Sequence, residues 1–103
     1  MKRVTLPRSH LAVSPLCLGV NQFGTAQTGA AAAAIVETFF AAGGNFFDTA
    51  RSYGDWIPGI ARGASERLLG ALLKGRPRGD YVLATKGCEF DARREVTGSR
   101  VTP

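Results

Sequence analysis

The stretch Gly43-Gly44-Asn45-Phe46-Phe47-Asp48-Thr49-Ala50-Arg51-Ser52-Tyr53-Gly54 constrains this chain more than any other. Its glycine pair stops a preceding helix, because glycine takes up the left-handed conformation that ends helices without a Cβ penalty. Two adjacent phenylalanines then make a short buried strand, and that strand runs straight into polar residues. A carboxylate at the end of a strand, with a phenol one loop further on, is how α/β folds present chemistry. The remaining segments have to build a sheet around it.

Upstream, residues 1–15 alternate as a leading hairpin: Val4 and Leu6 precede a Pro7-Arg8-Ser9-His10 turn, and Leu11 and Val13 follow it. Leu16-Cys17-Leu18-Gly19-Val20 reads as the first buried strand, and Asn21 to Gly29 as a loop. From Ala30 to Ala42 the chain reads as a helix. Five consecutive alanines carry high propensity, Thr28 suits the N-cap and Gly43-Gly44 the stop. Ile35, Phe39 and Ala42 fall on one face, with Val36 and Phe40 beside it. Strand two is Asn45 to Asp48. After a glycine-rich loop, Ser65-Glu66 opens a second helix with Leu68, Leu69, Leu72 and Leu73 inward, and Gly75 ends it. Tyr81 to Lys86 is the third strand, and residues 87–103 are polar and loop-like.

Strand, helix, strand, helix, strand is a βαβαβ unit, so the sheet is expected to be parallel with right-handed crossovers. A dinucleotide-binding fold of the Rossmann type wants G-x-G-x-x-G at the first strand-to-helix turn. Here that turn is Gly19-Val20-Asn21-Gln22-Phe23-Gly24, with the wrong spacing. A (β/α)8 TIM barrel fits better, but it takes about 250 residues and eight strands. Thr102-Pro103 has the character of an N-cap and first-turn pair, so 87–103 reads as a loop leading into a third helix. The expectation is the N-terminal part of a single barrel domain, incomplete by itself, with its first three strands and two helices in residues 16–86.

Composition narrows the functional classes. The net charge is +5, from 13 Lys and Arg against 8 Asp and Glu, yet the positives are scattered singly or in pairs with no basic face interleaved with aromatics. That argues for a solvated surface and against a nucleic-acid footprint. Cys17 and Cys88 have no Cys or His neighbour at metal-ligand spacing and make no disulfide framework, so both read as free thiols. No run reaches membrane-spanning length or the form of a signal peptide. A reducing, cytoplasmic setting is the expectation.

Strand parity carries the chemistry. Side chains alternate, so Phe46 shares a face with Asp48, and Lys86 shares one with Ala84 and Val82. Asp48 and Lys86 both end their strands. Neighbouring parallel strands lie about 4.8 Å apart, so the carboxylate and the ammonium can meet. Tyr53 follows Asp48 closely enough for its loop to fold back over the same mouth. A free phenol has a pKa of about 10; a neighbouring ammonium favours the phenolate. A tyrosine tuned in this way can exchange a proton with an alcohol or a developing alkoxide, while Asp48 holds the lysine charged and in place.

These residues resemble the N-terminal part of the aldo-keto reductases. The matching segments are Leu16-Cys17-Leu18-Gly19 with Phe23-Gly24, Asn45 to Ala50 with Tyr53-Gly54, Ser65-Glu66-Arg67-Leu68-Leu69-Gly70, and Leu83-Ala84-Thr85-Lys86. The resemblance implies an NADP(H)-dependent barrel that interconverts small-molecule carbonyl and alcohol substrates. In it, Asp48 looks like the aspartate of the family's tetrad, Tyr53 its general acid/base and Lys86 its partner. Gly19, Val20 and Asn21 would line the nicotinamide side, with Asp48 near the ribose. The fourth member, a histidine ending the next strand, would lie beyond Pro103. His10 is no substitute, since the family's leading hairpin plugs the opposite end of the barrel.

One departure is the segment Gly54 to Ala64, longer and more apolar than the family's usual linker. Either Trp56 and Ile57 join a substrate mouth suited to apolar carbonyl compounds, or this is a surface loop with one packed aromatic. We favour the second by a little. Taken singly, Asp48 suits a turn cap, Tyr53 a half-buried packing residue and Lys86 a solvated strand end. Glu66 suits the positive end of a helix dipole better than a catalytic role, and Arg93, Arg94 and Arg100 suit solvated loops better than a cofactor contact. The three site residues occurring together favour an enzyme over a non-catalytic binding or regulatory domain on the same scaffold.

Overall fold

The computed structural model describes residues 1–88. The expected third helix and Arg93, Arg94 and Arg100 lie outside the described residues. The leading hairpin forms as its alternation suggests. β1 (Val4–Thr5) pairs antiparallel with β2 (Ala12–Val13), in the register Val4 to Val13 and Thr5 to Ala12. Its turn is held by Ser9, whose hydroxyl donates to the Leu6 carbonyl at 2.9 Å and accepts the Leu11 N–H at 3.1 Å.

Three short strands, β3 (Leu18–Gly19), β4 (Phe46–Asp48) and β5 (Val82–Ala84), form a parallel sheet in sequence order. Two helices, α1 (Gly29–Ala41) and α2 (Ala64–Leu73), make the crossovers. The fold is α/β, as expected. Pleating sends Leu18, Phe47 and Leu83, which are in register, to one face. Phe47 is fully buried there in a core with Val20, Phe23, Ala32, Val36, Leu69 and Leu73. Phe39 meets its ring edge-on at 5.3 Å, a geometry that aromatic quadrupoles favour, and Phe40 lies tilted against it at 5.4 Å. The opposite face carries Phe46, Asp48, Val82 and Ala84, the set that parity required.

Several boundaries move. Thr28 occupies the N-cap position of α1 in an extended conformation, but its hydroxyl makes no capping bond. The buried stripe of α1 runs through Ala32 and Val36, and Ala42 is exposed. The sheet draws in the helix's small residue and its β-branched neighbour, leaving the larger side chains to wrap the flanks. At the other end, the Gly43 N–H bonds to the Phe40 carbonyl and the Gly44 N–H to the Phe39 carbonyl, both at 2.9 Å. That is the paired Schellman closure. Gly43 is left-handed at φ +91°, and a Cβ on Gly44 would run into the Phe39 ring. The third strand ends at Ala84, so Lys86 stands two residues beyond it.

The hairpin is fixed to the amino end of the sheet by Asn45, just ahead of β4. Its Oδ1 accepts the Ser14 N–H at 2.7 Å, its Nδ2 donates to the Ala12 carbonyl at 3.0 Å, and its own N–H donates to the Ser14 hydroxyl at 3.2 Å. Both residues are buried. His10 belongs to this hairpin and exposes its side chain.

Candidate active site

Parallel pairing carries on past the last strand residues and builds a hydrogen-bonded rim at the carboxyl end of the sheet. The Val20 N–H donates to the Asp48 carbonyl at 3.0 Å, the Thr49 N–H to the Ala84 carbonyl at 2.9 Å, and the Arg51 N–H to the Lys86 carbonyl at 3.1 Å. The last of these bonds explains why Lys86 is well placed although it lies outside β5. Its backbone is tied to the loop that follows β4.

Lys86 is the centre of the arrangement. Its Nζ donates to both carboxylate oxygens of Asp48 at 2.9 Å, to the Thr49 carbonyl at 2.9 Å and to the Tyr53 hydroxyl at 3.0 Å. An ammonium has three hydrogens and no lone pair, so the carboxylate shares one of them between its oxygens. The phenol accepts from Lys86, which leaves its own hydrogen to donate elsewhere. The lysine pKa is raised, first by the hydrogen bond to Tyr53 and then by the bond to Asp48, with slight desolvation opposing. The Asp48–Lys86 pair faces solvent, with side chains 36% and 42% exposed. In such a setting an ion pair contributes about 0–1 kcal/mol to stability, so its value lies in orientation.

Tyr53 is held by its backbone. Its N–H donates to the Ala50 carbonyl at 3.2 Å, and its carbonyl accepts the Ser65 N–H at 3.4 Å. Ser65-Glu66 was expected to open α2, and the helix does begin there, one residue earlier at Ala64. Gly63 takes the N-cap position, so Ser65 falls inside the first turn. Fully buried, the Ser65 hydroxyl donates to the Val20 carbonyl at 2.6 Å and lies 2.8 Å from the Thr49 hydroxyl, which supplies the hydrogen between them. One serine therefore links the ends of β3 and β4, the start of α2 and the Tyr53 loop. Sequence reading missed Ser65 and Thr49 in this role, because bonds between residues 16 and 45 positions apart leave no local pattern.

Of the residues expected to line a cofactor, Gly19 lies in register with Asp48, is exposed, and has open space where a side chain would stand. Asn21 is also exposed, whereas the Val20 side chain is buried in the core. Val20 thus offers its backbone to the rim and its side chain to packing. Cys17 is an exposed free thiol, as is Cys88. The Cys17 pKa is raised by partial desolvation and then by the charge of Asp48, with Lys86 acting the other way. A raised pKa leaves less thiolate and a less reactive sulfur. Glu66 sits in the first turn of α2 and accepts a hydrogen bond from the Thr85 hydroxyl.

The loop from Thr49 to Gly63 holds a second unforeseen group. Asp55 is buried and paired with Arg51 at 2.8 Å and Arg62 at 3.5 Å. The i,i+4 spacing of Arg51 and Asp55 was the available signal. Next to it, Trp56 is not a packed-away aromatic as we had favoured. The residue is 52% exposed and its ring stands edge-on to Tyr53, with centroids 6.1 Å apart.

A model of the Aldo/keto reductase family matches residues 15–102. The chain belongs to the aldo/keto reductase family. It is 38% identical over 92 residues to norsolorinic acid reductase B of Dothistroma septosporum, an alignment covering 82% of this chain and 22% of that protein. Among solved structures, an aldo-keto reductase from Pseudomonas aeruginosa superposes with a TM-score of 0.65 and 32% identity, over 90% of this chain and 39% of that one. The chain thus spans about a fifth of the curated reductase and two fifths of the solved one. It also spans 90% of an uncharacterized 11.2 kDa protein of Pseudescherichia vulneris, at 32% identity.

Proposed function

We propose that this chain is the N-terminal part, carrying three of the four tetrad residues, of a cytoplasmic, NADP(H)-dependent oxidoreductase that reduces aldehydes or ketones to alcohols on a (β/α)8 barrel. The observation that carries this reading is the Lys86 ammonium bonded at once to the Asp48 carboxylate and the Tyr53 hydroxyl. Asp48 keeps the lysine charged and aimed. Lys86 stabilises negative charge on the phenol oxygen, and Tyr53 gives its proton to the carbonyl oxygen as that oxygen becomes an alkoxide, or takes it back in the alcohol direction.

A nicotinamide fits the rim, since Gly19 offers an exposed backbone with free space and Asn21 is exposed beside it. Asp48, in register with Gly19, suits the ribose. When bound, the nicotinamide supplies or accepts the hydride at the carbonyl carbon. Sulfur chemistry at Cys17 has no part in this proposal.

Residues from the rest of such a barrel are required, so the isolated chain is expected not to turn over. The test fuses residues 1–103 to the remaining barrel of the Pseudomonas aeruginosa relative and follows NADPH oxidation with an aldehyde. Tyr53→Phe is expected to lower kcat by about 10²- to 10⁴-fold. An undiminished rate in that variant would refute the role given to Tyr53. The relative of 11.2 kDa, nearly matched in length by this chain, supports a second reading: a non-catalytic binding or regulatory domain. Failure of the fusion to reduce any carbonyl compound while still folding would favour it.

A further inference from the structure

Just beyond β5, neighbouring side chains go opposite ways, as they do along a strand. Lys86 reaches Asp48, Thr49 and Tyr53. Thr85 instead donates its hydroxyl to the Glu66 carboxylate in the first turn of α2. The backbone here is bonded to the chain that follows β4, through the Ala84 and Lys86 carbonyls. Such bonds run from strand to strand, in the plane of the sheet. They fix a distance but leave the roll of the strand end about its own axis, and that roll aims a side chain standing off the sheet. Thr85 pins the roll. Its partner lies out of the plane, in the helix layer, and is itself anchored. Ser65, one residue before Glu66, is fully buried and bonded to the Val20 carbonyl and the Thr49 hydroxyl.

We propose that Glu66 is a positioning residue for Lys86: through Thr85 it sets the direction from which the ammonium meets the Tyr53 hydroxyl. The positioning rests on these bonds alone, and its bearing on catalysis rests on the reading of Tyr53 as the proton carrier. A simpler account of Glu66 exists, because a carboxylate in the first turn of a helix is favoured by the dipole. The dipole accounts for the charge and makes no demand on Thr85. That threonine is exposed, so water would serve its hydroxyl equally well if no position had to be held. A hydroxyl bonded to an ionised carboxylate makes one of the stronger, charge-assisted bonds, which suits a brace. The two accounts divide on whether the acceptor or the charge of Glu66 matters.

The test reads Lys86 in the 13C-labelled chain. Its Nζ lies 4.8 Å from the centre of the Tyr53 ring, so the ring moves the terminal methylene signal of Lys86 away from those of Lys2 and Lys74. Glu66→Leu is expected to return that signal toward the other two. So is Thr85→Val, which leaves the Glu66 charge at the helix. The two changes together should move it no further than either alone, as for residues acting through one bond. Glu66→Gln keeps an acceptor and Thr85→Ser a donor, and both should keep the parent signal. The hairpin signals should hold still in every variant. In the fusion to the remaining barrel, Glu66→Leu is expected to lower kcat by up to about 10²-fold with KM unchanged, and Glu66→Gln to restore it. A Lys86 signal unmoved in Glu66→Leu, or moved there but not in Thr85→Val, overturns the proposal and returns Glu66 to the dipole. So does a kcat untouched by Glu66→Leu in a fusion that Tyr53→Phe disables. If instead the signal moves as expected while the fusion keeps its rate in Tyr53→Phe, Glu66 still positions the lysine, and the proton-carrier reading is what fails.

Discussion

At the amino end of β4, Asn45 is buried and matches each side-chain polar atom to a neutral partner, Ser14 or Ala12, in the hairpin. At the carboxyl end of the same strand, three residues further on, Asp48 keeps a third of its side chain in solvent and holds an ammonium that is itself half exposed. The first arrangement closes a gap between two pieces of structure, and its groups are spent on one another. The second leaves a phenol hydrogen and an exposed glycine facing outward. Neutral and sealed at one end, charged and open at the other, the strand separates stability from chemistry along about 10 Å of chain.

Breaking the sealed end is expected to cost the most stability. Asn45→Ala deprives the buried Ser14 N–H of its partner, a buried group left unsatisfied costing about 1–3 kcal/mol, and removes the partly buried bond to the Ala12 carbonyl as well. A loss of about 3 kcal/mol, measured by urea unfolding of the chain, is the expected outcome. The Tyr53 ring resonances should stay where they are. If they move as far as the hairpin signals do, the two ends are coupled and the division drawn here is wrong.

Ser65 sharpens the comparison, because it uses the buried and neutral chemistry of the amino end to serve the open one. Ser65→Ala removes the bond to the Val20 carbonyl and a partner of the Thr49 hydroxyl, for an expected loss of about 1–2 kcal/mol. Here the Tyr53 signals should shift and broaden while the hairpin signals hold still. The reverse pattern would make Ser65 a packing residue with no bearing on the site.

The legibility of the chain followed the same divide. Period-two alternation governs which face a strand residue takes, so the common face of Phe46, Asp48, Val82 and Ala84 was readable, as was the hairpin. The meeting of Asp48 with Lys86 followed from it, although Lys86 proved to lie past the strand and to depend on the Arg51 N–H. Ser65-Glu66 was readable as the opening of α2, which starts one residue earlier at Ala64, but the buried bonds of the Ser65 hydroxyl to Val20 and Thr49 were not. Asn45 was counted as a strand residue, with no hint of the hairpin 31 positions earlier that claims it. Val20 looked like part of a cofactor surface until packing showed its side chain turned to the core. Trp56 could be read either way, because exposure is decided by what anchors its neighbours.

The smallest effect belongs to the charged end, and its sign is fixed. The folded chain raises the Lys86 pKa through the bonds to Tyr53 and Asp48, so the folded state holds this proton more tightly than the unfolded one. Its contribution is complete below the unfolded lysine value of about 10.4 and fades as pH rises through the higher folded value. Lys86→Met should therefore lower stability at pH 8 by less than about 1 kcal/mol, given the exposure of the pair. It should also flatten the decline in stability that the parent chain shows as pH climbs past the ordinary lysine range. The difference between parent and variant should shrink in high salt, where exposed charges are screened, and the cost of Asn45→Ala should not. A Lys86→Met cost that equals that of Asn45→Ala and ignores salt would mean that the ammonium is a structural post, and the open end of β4 would lose its claim to be different.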